Sequence, residues 1–195
     1  MVDDSSPRSV AIPFISYDQD SRSFHVNSEA QEFLQSLGQK QIGVISVCGK
    51  YRTGKSYLLN KLFLEKMKSE KIRGFPVGPS IQPCTKGLWL WREIFYSPTD
   101  LDHETPIIII DTEGLGAFDE DENHDTKIFL LALLLCSLLL YNSVGSIDEN
   151  ALTNLSLVIN LSKELQIRQG EACDDADEVA QYFPTFFWVL RDFAL

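Results

Sequence analysis

The chain is short of positive charge: 17 Lys and Arg stand against 28 Asp and Glu, a net charge of −11 over 195 residues. That balance excludes a general nucleic-acid or anionic-membrane binder, whose affinity comes from cations facing phosphates. Cysteine is scarce and unpatterned. The four cysteines, at 48, 84, 136 and 173, make no C-x-x-C pair and no other metal-ligand spacing. This excludes a zinc module and predicts reduced thiols in a cytoplasmic setting. The first residues are polar, without the apolar core of a secretory signal, and Val2 stands where myristoylation needs glycine. The C-terminal Asp192-Phe193-Ala194-Leu195 is no prenylation box. The one membrane suspect, Ile128–Tyr141, has 14 residues, short of the ~20 needed to span a bilayer. It is predicted to be one helix buried all round in a core. His25, His103 and His124 are scattered and predict neither a metal site nor a catalytic dyad. The acidic run 119–125 fails the calcium-loop pattern, since His124 stands where glycine is required and Leu130 where a bidentate Glu is required.

What is present is ordinary material for one globular domain, with 44% hydrophobic and 23% charged residues. Residues 1–12 are expected to be a flexible start, with the folded domain running over 13–195. Phe14-Ile15-Ser16-Tyr17 and Ser23-Phe24-His25-Val26 flank a turn and predict a hairpin. Asn27 or Ser28 is suited to cap a helix that runs to Leu37 and stops at Gly38. Residues 74–87 are glycine- and proline-bearing and aperiodic, so a loop is predicted. A strand is expected within Leu88–Tyr96, and Ile107–Ile110 has the β-branched character of a buried parallel strand. Residues 147–166 are predicted helical, and Phe186–Leu190 forms a final strand. Alternating strands and helices imply an α/β fold.

The most informative stretch is Gly49-Lys50-Tyr51-Arg52-Thr53-Gly54-Lys55-Ser56. It matches the G-x-x-x-x-G-K-[ST] phosphate-loop pattern and stands between an apolar run, Ile42–Cys48, and a segment with helical spacing. Glycines let such a loop turn its N–H groups inward around phosphate oxygens, and the next helix adds its positive end. Lys55 is the residue for the β- and γ-phosphates, and the Ser56 hydroxyl is a Mg²⁺ ligand. Asp111-Thr112-Glu113-Gly114 follows the isoleucine strand, where parallel sheets bind ligands. Asp111 is expected to hold Mg²⁺, directly or through water, and Gly114 to let a backbone N–H approach the γ-phosphate. Thr85 lies between these two motifs in chain order, the usual place of a switch threonine that completes the Mg²⁺ shell. Arg52 is unusual inside such a loop. Its guanidinium either folds over the phosphates to stabilise the transition state or stands solvated. No [NT]KxD base-reading motif occurs, and the last strand ends instead in Arg191-Asp192. A carboxylate there accepts from guanine N1–H and N2–H₂ together, an edge that adenine lacks.

The order of Gly49–Leu62, Thr85-Lys-Gly-Leu-Trp-Leu-Trp91, Asp111-Thr-Glu-Gly-Leu-Gly116, Tyr141-Asn-Ser-Val-Gly145 and Trp188-Val-Leu-Arg-Asp-Phe193 closely resembles the guanylate-binding protein family, relatives of atlastins within the dynamin superfamily. The resemblance runs from about residue 13 to the end. It implies a P-loop NTPase fold, a three-layer α/β/α domain with a mostly parallel sheet. It also implies GTP as substrate, Mg²⁺, hydrolysis to GDP or GMP, and dimerisation through the nucleotide face. By position it makes Arg52 an internal arginine finger, Thr85 the γ-phosphate sensor and Glu113 part of the water and proton network. Arg191-Asp192 becomes the guanine-reading pair. Gly78, Thr112 and Leu115 join residues 49–56, 111, 113 and 114 as nucleotide contacts. Two departures stand out. Pro83-Cys84 replace the Ser-His often found before the switch threonine, which removes a hydroxyl that helps position the attacking water. The chain also stops just past Arg191-Asp192, where the family's GTPase domain continues, so the domain is expected to be C-terminally truncated with an exposed sheet edge. A truncated, non-catalytic GTP-dependent interaction module is the competing expectation, and an ATPase with a coincidental Arg-Asp is the third.

Overall fold

The computed structural model describes residues 8–18, 20–38, 41–67, 72–77, 86–96, 105–116, 122–146 and 183–193, with single helical positions at 149, 152, 153, 156 and 160. The strands in chain order are β1 (Arg8–Ser9), β2 (Ala11–Asp18), β3 (Ser23–Val26), β4 (Gly43–Cys48), β5 (Ile72–Arg73), β6 (Leu88–Trp91), β7 (Phe95–Tyr96), β8 (Pro106–Thr112), β9 (Leu138–Val144) and β10 (Thr185–Arg191). The helices are α1 (Ser28–Ser36), α2 (Lys55–Met67) and α3 (Glu122–Leu134). Eight strands form one sheet in the order β10-β9-β4-β8-β6-β2-β3, with β7 also on β8. β1 and β5 make a separate two-stranded pair.

The sheet is mixed rather than mostly parallel. β10, β9, β4 and β8 run parallel, whereas β6, β2, β3 and β7 join antiparallel. Of the parallel strands, β9, β4 and β8 lie inside the sheet and β10 forms its edge; β4 and β8 are apolar nearly throughout, as strands covered on both faces must be. Successive residues of β8 serve opposite faces. Ile108 and Ile110 pack with Ile128, Phe129 and Ala132 of α3 and Ala30 of α1. Ile109 packs with Val47, Trp91 and Leu59 of α2. Two separate clusters on the two sides of one sheet make the expected three layers.

Order begins earlier than residue 13. Val10, Ala11 and Ile12 are buried, and Ala11 and Ile12 pair with Trp91 and Leu90. Their apolar side chains complete the core, which the polar residues before them conceal in the sequence. The 14-residue apolar run Ile128–Tyr141 is also not one helix. α3 buries Ile128, Phe129, Ala132 and Leu133, ends at Leu134, and the chain re-enters the sheet as β9 at Leu138. Ser137 makes the change of direction. Its N–H donates to Val44 O (2.8 Å), and its hydroxyl accepts from Val44 N (2.9 Å), starting the β4–β9 ladder. A run apolar on every side suits a buried helix and a central parallel strand alike, so periodicity could not divide it. The last residues of the acidic run, 122–125, form the first turn of α3.

Other expectations hold. The β2–β3 hairpin pairs Tyr17 with Phe24. Asn27 caps α1 through its Oδ1, which accepts from Glu29 N (2.9 Å) and Ala30 N (3.4 Å). The single strand expected over 88–96 is broken into β6 and β7. The helix expected over 147–166 lies outside the described residues, apart from the isolated helical positions. Cys48 is buried and Cys136 half-buried, both free. Burial pushes both thiols up, Cys136 to about 12, so neither ionises near neutrality. Among the described residues no helix is long and apolar enough to cross a membrane.

Candidate functional site

β4 and β8 are adjacent and parallel, with Val47 opposite Asp111. Their carboxyl ends therefore deliver the glycine loop and the Asp-Thr-Glu-Gly turn side by side, where open parallel sheets place ligands. The loop curls on its own backbone. The Thr53 hydroxyl donates to Lys50 O (2.7 Å), and Lys55 Nζ donates to the same carbonyl (3.3 Å). The turn is laced to the loop by Tyr51 N to Leu115 O (2.9 Å) and Leu115 N to Gly49 O (3.1 Å). Two glycines make this approach possible. A Cβ on Gly114 would collide with the Tyr51 backbone, and one on Gly49, at φ 139°, would collide with Asn142 O.

The polar centre is compact. The Ser56 hydroxyl donates to Asp111 Oδ2 at 2.6 Å across 55 residues of sequence. Asp111 is fully buried, and Lys55 is only 6% exposed. Burial pushes the Lys55 ammonium below its usual range, opposed chiefly by the Asp111 carboxylate and also by Cys48 and Glu113. A desolvated cation of this kind gains from an anion brought beside it. Ser56 and Asp111 fit a hard divalent cation, since both offer oxygen. Among the described residues no three His, Cys, Asp or Glu side chains form a closed metal cage. Mg²⁺ takes one or two protein oxygens together with waters and substrate phosphates, so Ser56 and Asp111 are the residues that would hold it.

Arg52 stands exposed on the loop with a left-handed backbone, φ 58°. Lys50 is exposed and Tyr51 half-buried. The Thr112 side chain is buried, and its hydroxyl donates to Val47 O (2.8 Å), joining β8 to β4. Leu115 is likewise a core residue, and its backbone alone touches the loop. Thr85, Gly78 and Pro83-Cys84 lie outside the described residues.

Arg191 is engaged by the phosphate loop. Its Nη2 donates to Thr53 O, and its Nε donates to Asn142 Oδ1 (3.0 Å). Asn142 completes the tie through Nδ2, which reaches Thr53 O and Thr53 Oγ1, both at 3.0 Å. Asp192 follows, exposed and with φ 51°. Sequence reasoning assigned no role to Asn142, which sits inside an apolar strand. Its only signal was membership of the Tyr141–Gly145 motif.

His124 also departs from expectation. It is 4% exposed, and its Nε2 lies 2.5 Å from Glu113 Oε1, so these two residues do form a buried dyad. The other Glu113 oxygen accepts from Gly87 N. No local pattern marks a histidine in an acidic run as the partner of a glutamate 11 residues earlier.

A glycine loop between strand and helix, a buried lysine, and a serine and aspartate converging at parallel strand ends define a P-loop NTPase fold. The comparisons with known proteins narrow that class. The family model described as "Guanylate-binding protein, N-terminal domain" matches residues 21–195. Guanylate-binding protein 7 of Homo sapiens is 40% identical over 174 residues, covering 87% of this chain and 26% of that protein. Guanylate-binding protein 6 of Pongo abelii is 35% identical over 196 residues, covering 98% and 29%. Guanylate-binding protein 5 of Homo sapiens is 40% identical over 174 residues, covering 87% and 28%. The chain belongs to the guanylate-binding protein family. It spans between 26% and 29% of the length of these relatives.

Proposed function

We propose that the chain binds GTP with Mg²⁺ and hydrolyses it to GDP or GMP, acting as a nucleotide-dependent dimer in the cytoplasm. The observation that carries this reading is the 2.6 Å contact of Ser56 with Asp111 beside the buried Lys55. Family membership supports it, as does the name of the relatives, which specifies guanylate.

In this reading Lys55 neutralises the β- and γ-phosphates, and the N–H groups of the loop and the α2 N-terminus surround them. Ser56, Asp111 and Thr85 hold Mg²⁺, which when bound supplies charge neutralisation between the phosphates. Arg52, on the crest of the loop, folds over the γ-phosphate as charge moves in the transition state. Its side chain is exposed, and the partner in a dimer restrains it there. Glu113 belongs to the network that orients water and accepts its proton. Asp192 reads guanine, while Arg191 keeps the loop in register with the strand that carries the reader. The work of the protein is positioning and charge stabilisation, with no covalent intermediate.

Titration of the 195-residue chain with fluescently labelled GTP and ATP, followed by a turnover assay, tests the reading. GTP should bind at least about 100-fold more tightly than ATP, as a site built to pair a specific edge discriminates. Lys55→Ala should weaken GTP by about 10- to 100-fold, the worth of a charge-assisted bond. ATP preference overturns the guanine assignment. Tight GTP binding without turnover replaces the enzyme by a GTP-dependent interaction module.

A further inference from the structure

Glu113 is fastened at three points. Its N–H donates to Gly87 O (2.8 Å), one carboxylate oxygen accepts from Gly87 N, and the other faces His124 Nε2 at 2.5 Å. The two bonds to Gly87 place the residue at the entry to β6. They leave the carboxylate plane to be set by its remaining oxygen. A carboxylate only accepts, so Nε2 carries the hydrogen of that bond.

The imidazole is itself held in orientation. Its ring lies edge-on to Tyr17 (centroids 4.8 Å, 62°) and stacks with Phe24 (6.1 Å, 20°). Those two rings belong to opposite strands of the β2–β3 hairpin and touch each other (4.9 Å). The hairpin carries none of the residues assigned above to the nucleotide. Through His124 it nevertheless reaches the acid that follows β8.

We infer that His124 is a positioning residue for hydrolysis: its Nε2–H, oriented by Tyr17 and Phe24, fixes the Glu113 carboxylate and, through it, the Gly87 amide. The consequence for catalysis rests on the GTPase reading above; the fixing of Gly87 does not.

Two substitutions separate donation from packing. His124→Phe keeps a ring beside Tyr17 and Phe24 and removes the N–H. His124→Gln keeps an N–H donor of similar reach and removes the ring. Amide hydrogen exchange resolved at Gly87, read against Ile110 as a core reference, reports the fixing of Glu113 without nucleotide. His124→Phe should speed Gly87 exchange by about 10-fold or more relative to Ile110, and His124→Gln should stay within about threefold of wild type. With GTP, His124→Phe should lower kcat by about 10- to 100-fold with KM within about twofold, and His124→Gln should recover most of the loss.

The reverse ranking, with Phe active and Gln impaired, makes His124 a packing residue and overturns the inference. So does unchanged Gly87 exchange in a folded His124→Phe protein, or unchanged kcat in one whose Gly87 exchange is fast. If wild type itself turns over no GTP, the hydrolysis reading fails separately, and Gly87 exchange alone decides whether His124 fixes Glu113.

Discussion

The two halves of the sheet contribute to the site by different means. The parallel half, β10-β9-β4-β8, presents four strand ends on one edge, and each bears a functional group: the glycine loop after β4, Asp111 and Glu113 at β8, Asn142 in β9, and Arg191-Asp192 at β10. In the antiparallel half, β6-β2-β3, neighbouring strands alternate in direction. This half carries none of the residues assigned to phosphate and acts through other contacts: Gly87 under Glu113, and Tyr17 and Phe24 around His124. Parallel ordering brings chemistry to one edge because every strand finishes there. Antiparallel strands supply enclosure, which sets the geometry of groups that others provide. Damage to the first half should therefore appear as lost function in a stable fold, and damage to the second chiefly as lost stability.

The sharpest separation is expected at Arg52. It is exposed, so Arg52→Ala should leave the melting temperature and GTP affinity nearly unchanged while lowering turnover by on the order of 1,000-fold. Equal turnover in the variant and wild type would remove the arginine-finger role. Asn142 is next, and it bridges function and stability within the parallel half. Asn142→Ala leaves the Arg191 guanidinium and Thr53 without their shared partner, at a cost of about 1–3 kcal/mol. Denaturant unfolding measures that cost, and weaker GTP binding should accompany it. A stability loss with full GTP affinity would mean that the tie from β9 and β10 to the loop is structural only. The smallest effect is expected in the antiparallel half. Ile12, buried in the core on β2, should lose about 0.5–1.5 kcal/mol as Ile12→Val with GTP affinity within about twofold. A large affinity loss from this one methylene would break the division between the halves.

How legible each part was in the sequence depends on how local its cause is. The glycine loop, the isoleucine strand with its Asp-Thr-Glu-Gly turn, the hairpin and the Asn27 cap were all readable, because short-range backbone and capping chemistry produces each. Boundaries failed where tertiary burial decides. Ser137 divides a uniformly apolar run into α3 and β9 by bonding to Val44, 93 residues away. Val10–Ile12 join the core because β6 lies beside them. The Thr112 hydroxyl faces Val47 because β8 pairs with β4. Arg191 joined the guanine-reading pair only through the family resemblance. The proximity of Thr53, 138 residues earlier, gives it a partner in the loop. His124 and Asn142 had no local chemical signature.

The sequence by itself determined that a phosphate loop follows a strand, that an acid ends another strand, and that both belong to a guanylate-binding protein domain. These are consequences of neighbouring residues and of motif order. Only the tertiary structure decided which side chains share the site: Ser56 on Asp111, Arg191 and Asn142 on Thr53, His124 on Glu113. The physical reason is that a hydrogen bond across 49, 55 or 138 residues exists only after the sheet has placed its strands. No periodicity or local propensity encodes that distance.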